Sequence, residues 1–175
     1  MFFSSGWAYV PPPTSPVAPQ NGSHLALYVP TAPETNSSVS QSHNAGDVPP
    51  GSFGAGPRAY DNAYWFNAES LYVFCDNGAL DTRVTCDIVA TGYQWDDATE
   101  AETVLTTQHF PQQPCPGFVD CQTNKIFLDK QFSGLSSLSF YAVVNGQQKM
   151  FFMDTVQMSW WNNTCDAGLR RARQI

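Results

Sequence analysis

Apolar residues alternate with polar ones along most of the second half of this chain, and no window shows a helical repeat. The clearest run is 138–144, which leads into Asn145-Gly146, a dipeptide typical of two-residue hairpin turns. Similar β-type patterns occupy residues 2–10, 24–29, 69–75, 82–92, 99–110, 125–130 and 149–161. The sequence therefore predicts an all-β, antiparallel sandwich of about eight strands. Parallel α/β folds are excluded because they need long crossover helices.

The domain organisation follows from length and local composition. A chain of 175 residues is typical of one domain. We predict that residues 1–163 form a single β-sandwich domain, within which residues 30–60, rich in Ser, Pro and Gly, form a long loop. Residues 164–175 are predicted to be a short basic C-terminal tail, which contains three of the eight basic residues.

The net charge and the length of the apolar runs argue against two kinds of partner. With 15 acidic and 8 basic residues, the formal net charge is −7, so the chain would repel nucleic acid. No apolar run approaches the roughly 20 residues that a membrane span needs. We expect no nucleic-acid binding and no membrane span.

The five cysteines predict two disulfides. Cys75 and Cys86 lie on the inferred core faces of consecutive strands, and Cys115 and Cys121 flank a short loop. Cys165 is left over. The spacings contain no C-x-x-C pair, so a metal-binding role is not indicated.

Three glycosylation sequons begin at Asn21, Asn36 and Asn162. The first residues do not form a secretory signal peptide, which leaves two alternatives: the signal precedes this chain, or the protein is cytosolic. Because cysteines and sequons favour the first alternative, we predict an extracellular protein, with its signal peptide missing from this chain.

Four short motifs resemble those of secreted, largely uncharacterised fungal proteins. They are residues 66–73, 85–93, 132–135 and 151–156, and the resemblance covers about residues 1–163. It implies secretion and a jelly-roll sandwich similar to galactose-binding-like and carbohydrate-binding modules. The chain departs from the pattern at Thr155, where asparagine is commoner.

The segment Tyr93-Gln94-Trp95-Asp96-Asp97 is the candidate ligand-binding site. Sugars stack on aromatic faces, and carboxylates or amides bind their hydroxyl groups. This segment offers both kinds of group directly after a strand, so we predict a sugar-binding loop there. The alternative is a core Tyr93, a half-buried Trp95 and a solvated acidic turn.

Asp154 is the candidate metal ligand. It lies in an aromatic-rich strand, and in the carbohydrate modules that the chain resembles an equivalent aspartate often helps to hold a structural Ca²⁺. The alternative is a hydrogen-bonded or exposed strand residue. No other cofactor is expected.

The sequence thus predicts a secreted, non-catalytic module that binds carbohydrate or associates with a cell-wall polymer. A secreted protein–protein interaction module, of the effector or adhesive kind, is one alternative. A glycoside-active enzyme is another, with Glu69, Glu100 and Glu102 as carboxylates that could be recruited. The chain contains neither a G-x-S-x-G nor an H-E-x-x-H motif.

Overall fold

The structure, a computed structural model, describes residues 1–10, 17–30, 42–44, 46–75, 83–115 and 121–173. Within these ranges the chain forms β1 (Phe2–Phe3), β2 (Trp7–Val10), β3 (Val17–Ala18), β4 (Leu25–Tyr28), β5 (Ser42–Asn44), β6 (Ser52–Gly54), β7 (Phe66–Phe74), β8 (Cys86–Asp96), β9 (Ala101–Gln112), β10 (Cys121–Gln122), β11 (Asn124–Phe127), β12 (Ser137–Val144), β13 (Gln147–Lys149), β14 (Phe151–Trp160) and helix α1 (Cys165–Ala172). Short 3₁₀ turns occupy Gly56–Arg58 and Asn62–Tyr64.

Eight strands carry the sandwich. One sheet has the order β6-β12-β8-β9 and the other has the order β11-β7-β14-β4, with every pair antiparallel. Counted along the chain, the first sheet holds the second, seventh, fourth and fifth of these strands, and the other sheet holds the sixth, third, eighth and first. This is the strand order of a jelly roll, so the predicted fold is confirmed.

The six remaining strands extend or cover the two sheets. Strands β1, β5 and β13 widen the first sheet, and β2 widens the second. Strands β3 and β10 form a separate parallel pair. The prediction of about eight strands matches the number in the sandwich, but the predicted segments include residues 2–10, which hold β1 and β2, and omit β6.

The core lies between the two sheets. The alternating residues of β12 point into it, and Leu138 and Phe140 are fully buried. The Phe53 ring stacks at 6.1 Å from Phe66 of the opposite sheet and at 6.2 Å from Phe140. Interdigitation of this kind is what period-two alternation predicts for a sandwich.

The Asn145–Gly146 turn is a two-residue hairpin, as predicted. Both residues have positive φ angles, 51° and 76°, which is the type I′ geometry. The returning segment is not a single strand over 149–161, however. Strand β13 pairs with β12, and after Met150 the chain crosses to the other sheet as β14.

The prediction of a structureless loop over 30–60 is wrong for residues 42–44 and 52–54, which form β5 and the sandwich strand β6. Gly54 shows why glycine occurs in this strand. A Cβ atom there would lie 2.5 Å from the carbonyl oxygen of Ser136, so only glycine allows this close approach. Residues 31–41 and 45 lie outside the described part of the chain.

Both predicted disulfides are present. The Cys75–Cys86 bond, with Cα atoms 5.9 Å apart, joins the end of β7 to the start of β8 and so links the two sheets at what we call the disulfide end. The Cys115–Cys121 bond, with Cα atoms 5.8 Å apart, tethers β10. The β3–β10 pair covers a second, smaller apolar cluster with Val17, Leu25, Phe74, Cys121 and Phe152. Cys165 is an exposed free thiol.

The segment predicted as a basic tail begins with helix α1. Thr164 caps the helix by accepting a hydrogen bond from the Ala167 amide at 3.3 Å, and Ala167 is fully buried. Arg171 donates hydrogen bonds to the carbonyl oxygens of Ala63 and Asn162, which docks the helix on the sandwich. Among the described residues, no helix has the length and apolar character needed to cross a membrane.

Candidate functional site

The predicted binding segment is mostly the end of a strand, not a loop. Strand β8 continues to Asp96, which pairs with Ala101 of β9, so the connecting turn begins only at Asp97. Tyr93 is 1% exposed, and burial raises the pKa of its phenol. We therefore correct the placement of Tyr93: it belongs to the interior and cannot contact an external ligand.

Trp95 is half-buried and held in a defined position. Its indole N–H donates a hydrogen bond to Oδ1 of the exposed Asp97 at 2.9 Å. The Tyr60 ring meets the Trp95 ring edge-on, with centroids 6.4 Å apart. Asp96 instead stabilises the turn, because it accepts hydrogen bonds from the Ala98 amide at 2.9 Å and from Thr99. Asp96 therefore follows the alternative interpretation of an acidic turn.

Two further tryptophans lie at the same end of the sandwich. The Trp65 and Trp161 rings are 5.6 Å apart, and the Trp65 indole N–H donates to the carbonyl oxygen of Ala59 at 2.6 Å. Gly134 connects this pair to β8. Its carbonyl oxygen accepts a hydrogen bond from Gln94 at 3.0 Å, and a Cβ atom on it would lie 3.2 Å from Nε1 of Trp161.

We call Tyr60, Trp65, Trp95 and Trp161 the aromatic cluster, and the end of the sandwich that carries them the aromatic end. Tyr60 is 62% exposed and Trp161 is 46% exposed, so both residues are accessible from solvent. Asp97 supplies an exposed carboxylate beside the rings. Sequence reasoning found Trp95 but did not connect it with Tyr60 or with the Trp65–Trp161 pair, because these residues are distant in the chain.

The family comparison gives one match. A family model described as "Domain of unknown function (DUF7371)" matches residues 1–171. The chain belongs to this family. Comparisons with curated proteins and with solved structures gave no match. The DUF7371 description assigns no ligand, so the resemblance to secreted fungal proteins with carbohydrate modules stays a prediction.

Asp154 of this DUF7371 domain accepts hydrogen bonds from the backbone of a segment near the N-terminus. Its Oδ2 accepts from the backbone amides of Gln20 at 2.7 Å and Asn21 at 3.0 Å. These N–H groups turn their positive ends toward the oxygen, which disfavours a cation there. No group of three or more His, Cys, Asp or Glu side chains suited to a metal occurs among the described residues. The geometry therefore favours a carboxylate that anchors the 20–21 segment to β14.

The predicted glycosylation sites fall in different surroundings. Asn21 is exposed, and its amide donates to Thr155 at 3.0 Å. Asn162 is half-buried, and its amide donates to Asn62 at 2.9 Å while its oxygen accepts from Thr164 at 2.9 Å. Asn36 lies outside the described residues.

A buried polar group that sequence reasoning did not find lies behind the predicted segment. Glu102 of β9 is fully buried, and Oγ of Ser136 donates to its Oε1. Nε2 of His43 lies 2.9 Å from its Oε2, at ion-pair distance although not aligned as a hydrogen bond. The His43 ring also contacts the Tyr93 ring at 4.7 Å. This group ties the edge strand β5 to the first sheet.

The carboxylates considered for glycoside chemistry have other partners. Glu102 is enclosed, so it cannot contact a sugar at the surface. Glu69 lies in the other sheet and accepts a hydrogen bond from Gln157 at 2.8 Å. Glu100 is exposed in the β8–β9 turn with a φ of 50°.

A concave surface lies beside the N-terminal strands, separate from the aromatic cluster. This cavity of about 450 Å³ is mainly apolar and is lined by Phe3, Trp7, Tyr9, Met153 and Met158, among others. Tyr9 is 83% exposed at its rim. We call this surface the N-terminal groove.

Proposed function

We propose that this DUF7371 domain is a secreted, non-catalytic carbohydrate-binding module that associates with a cell-wall polymer. The aromatic cluster supports the proposal most directly. Solvent-facing rings stand beside an amide and a carboxylate at one end of a jelly roll, and this is where rigid sandwiches commonly carry binding residues.

The secreted location is supported by the two disulfides. Such bonds persist in oxidising compartments and are rare where glutathione keeps thiols reduced. The sequons at Asn21 and Asn162 are compatible with this location, because both asparagines reach the surface at least in part.

Ring preorganisation explains how the cluster would bind. The hydrogen bond from Trp95 to Asp97 and the edge contact with Tyr60 restrict the indole before a ligand arrives. A pre-oriented ring loses little side-chain entropy on binding, which leaves more of the stacking energy for affinity.

The test uses a glycan array with the wild-type domain and the variants Trp95→Ala and Trp95→Phe. We expect Trp95→Ala to abolish binding and Trp95→Phe, which keeps a smaller ring, to retain part of it. Because Trp95 is half-exposed, Trp95→Ala should lower the free energy of unfolding by only about 1 kcal/mol. Tyr9→Ala is the matched control, since it removes an exposed ring from the N-terminal groove.

Each contrary outcome has its own meaning. Normal glycan binding by a folded Trp95→Ala protein would refute the site, and loss of binding in Tyr9→Ala would move it to the N-terminal groove. Absence of binding to every glycan on the array, together with capture of a protein partner, would favour a protein–protein interaction module. Release of reducing sugar would favour a glycoside-active enzyme.

A further inference from the structure

Positive charge is concentrated at the aromatic end of an otherwise acidic protein. The chain has 8 basic residues and a net charge of −7. Half of the basic residues belong to α1, to its C-terminal cap and to the turn at Gly56–Arg58; they are Arg58, Arg170, Arg171 and Arg173. A cavity of about 260 Å³ brings three of them together, and its lining is Arg58, Tyr60, Asp61, Tyr64, Arg170 and Arg173. We call this cavity the arginine cleft.

Packing of α1 creates the cleft. The Tyr64 hydroxyl donates to the carbonyl oxygen of Arg170 at 3.2 Å, which brings the last turn of the helix over the Asn62–Tyr64 turn. The Arg58 guanidinium lies over the Tyr64 ring, 4.9 Å from its centroid. Arg171 is turned away from the cleft, because its guanidinium binds backbone carbonyl oxygens.

The charges inside the cleft do not cancel. Asp61 accepts two hydrogen bonds from Arg170, both at 3.0 Å, and raises the pKa of that guanidinium. Asp166 of α1 pairs with the same guanidinium, with its Oδ2 2.9 Å from Nη2 of Arg170. Neither Arg58 nor Arg173 has a carboxylate partner among the described residues, and Arg173 is exposed. Three guanidinium groups therefore face the two carboxylates of Asp61 and Asp166, and both carboxylates are engaged by Arg170. The cleft keeps about one net positive charge, with Arg58 and Arg173 available to a carboxylate or sulfate group.

The cleft and the aromatic cluster share a residue. Tyr60 lines the cleft and also contacts the Trp95 ring. A ligand that extends from Trp95 across Tyr60 would therefore reach the arginine cleft. We propose that the aromatic end binds an anionic polysaccharide, with one sugar stacked on the aromatic cluster and the acidic group of a neighbouring sugar in the arginine cleft. This inference rests on the proposed carbohydrate-binding function and names its ligand class.

The experiment compares polygalacturonate with its fully methyl-esterified form, because the two polymers differ in charge and share a backbone. Dextran sulfate and dextran form a second pair that distinguishes sulfate from carboxylate recognition. Affinity is measured for the wild type, Arg173→Gln and Arg58→Gln/Arg173→Gln. Lys149→Gln is the control, since it removes a positive charge from β13 near the opposite end of the first sheet.

We expect the wild type to prefer an acidic polymer over its neutral counterpart, and salt to weaken that preference. Arg173→Gln should reduce the affinity for the acidic polymer roughly threefold to tenfold and leave the weaker affinity for the neutral polymer unchanged. The double variant should abolish the preference, whereas Lys149→Gln should keep it. Circular dichroism and melting curves establish that the variants are folded.

Three results would overturn the inference. Equal affinity for charged and neutral polymers would refute acidic specificity while leaving the proposed function intact. A charge preference that both arginine variants retain would place the acidic group elsewhere. Absence of binding to any polymer or array glycan would reject the proposed function and this inference together.

Discussion

At the disulfide end the two sheets are joined by a covalent bond between buried Cys75 and Cys86, whereas at the aromatic end backbone hydrogen bonds join them. There the Phe66 amide donates to the carbonyl oxygen of Leu135 at 3.0 Å, and the Leu135 amide donates back at 2.8 Å. Both closures use buried residues, since Phe66 and Leu135 are as enclosed as the two cysteines. The ends differ in what surrounds the closure, because Tyr60 and Trp161 reach solvent beside the hydrogen-bonded one, and the candidate site lies there.

The largest expected effect concerns the buried polar group behind the aromatic end. Glu102→Ala would leave Ser136 and His43 buried without their carboxylate partner, so the free energy of unfolding should fall by about 3–5 kcal/mol. Urea unfolding measures the change. Glu102→Gln, which keeps an acceptor for Ser136, should cost less. A loss below about 1 kcal/mol in Glu102→Ala would mean that this end does not depend on the buried group.

A smaller effect is expected at the disulfide end. The double variant Cys75→Ala/Cys86→Ala should lower the free energy of unfolding by roughly 3 kcal/mol, because the unfolded chain regains loop entropy. The matched control, Cys115→Ala/Cys121→Ala, opens a shorter loop and should cost roughly 2 kcal/mol. Equal glycan binding by the folded wild type and the first double variant would show that the two ends act independently. Loss of binding in that variant would contradict the comparison.

The smallest effect is expected at Asp154, which takes part in neither the disulfide nor the Phe66–Leu135 hydrogen bonds that join the two sheets. Asp154→Asn weakens the acceptor for two backbone amides and should lower the free energy of unfolding by about 1 kcal/mol. A metal bound only to the native state would stabilise it by mass action. Since we expect no calcium at Asp154, calcium chelation should leave the melting temperature of the wild type unchanged. A fall in melting temperature with chelator would revive the calcium interpretation.

Period-two alternation predicted the main strands because it reports directly which side chains face the core. It also placed Cys75 and Cys86 on the core faces of consecutive strands, and these two cysteines form the predicted disulfide. Strand β6 was not predicted, because a segment of three residues that ends in glycine shows no alternation. The need for glycine at position 54 becomes visible only when the backbone of Ser136 is seen beside it.

The candidate site was predicted only in part, for two physical reasons. Tyr93 is buried, as the alternative interpretation of this segment held, and the register shift of the β8–β9 pairing between Gly92 and Tyr93 has no signal in the sequence. The partners of Trp95 come from other elements, and only the folded chain brings Tyr60 and Trp161 to the same end.

The jelly-roll order has a consequence for folding kinetics. Strand β4, near the start of the chain, pairs with β14, near its end, through registers such as Tyr28 with Phe151. Such pairing requires closure of a very long loop before any contact stabilises it, so folding should be slow. A ribosome must also release most of the chain before β4 can pair with β14, although β2 is already available on its other edge. Until then the apolar face of β4 stays available to other chains, which makes dilute, slow refolding the favourable way to prepare this domain.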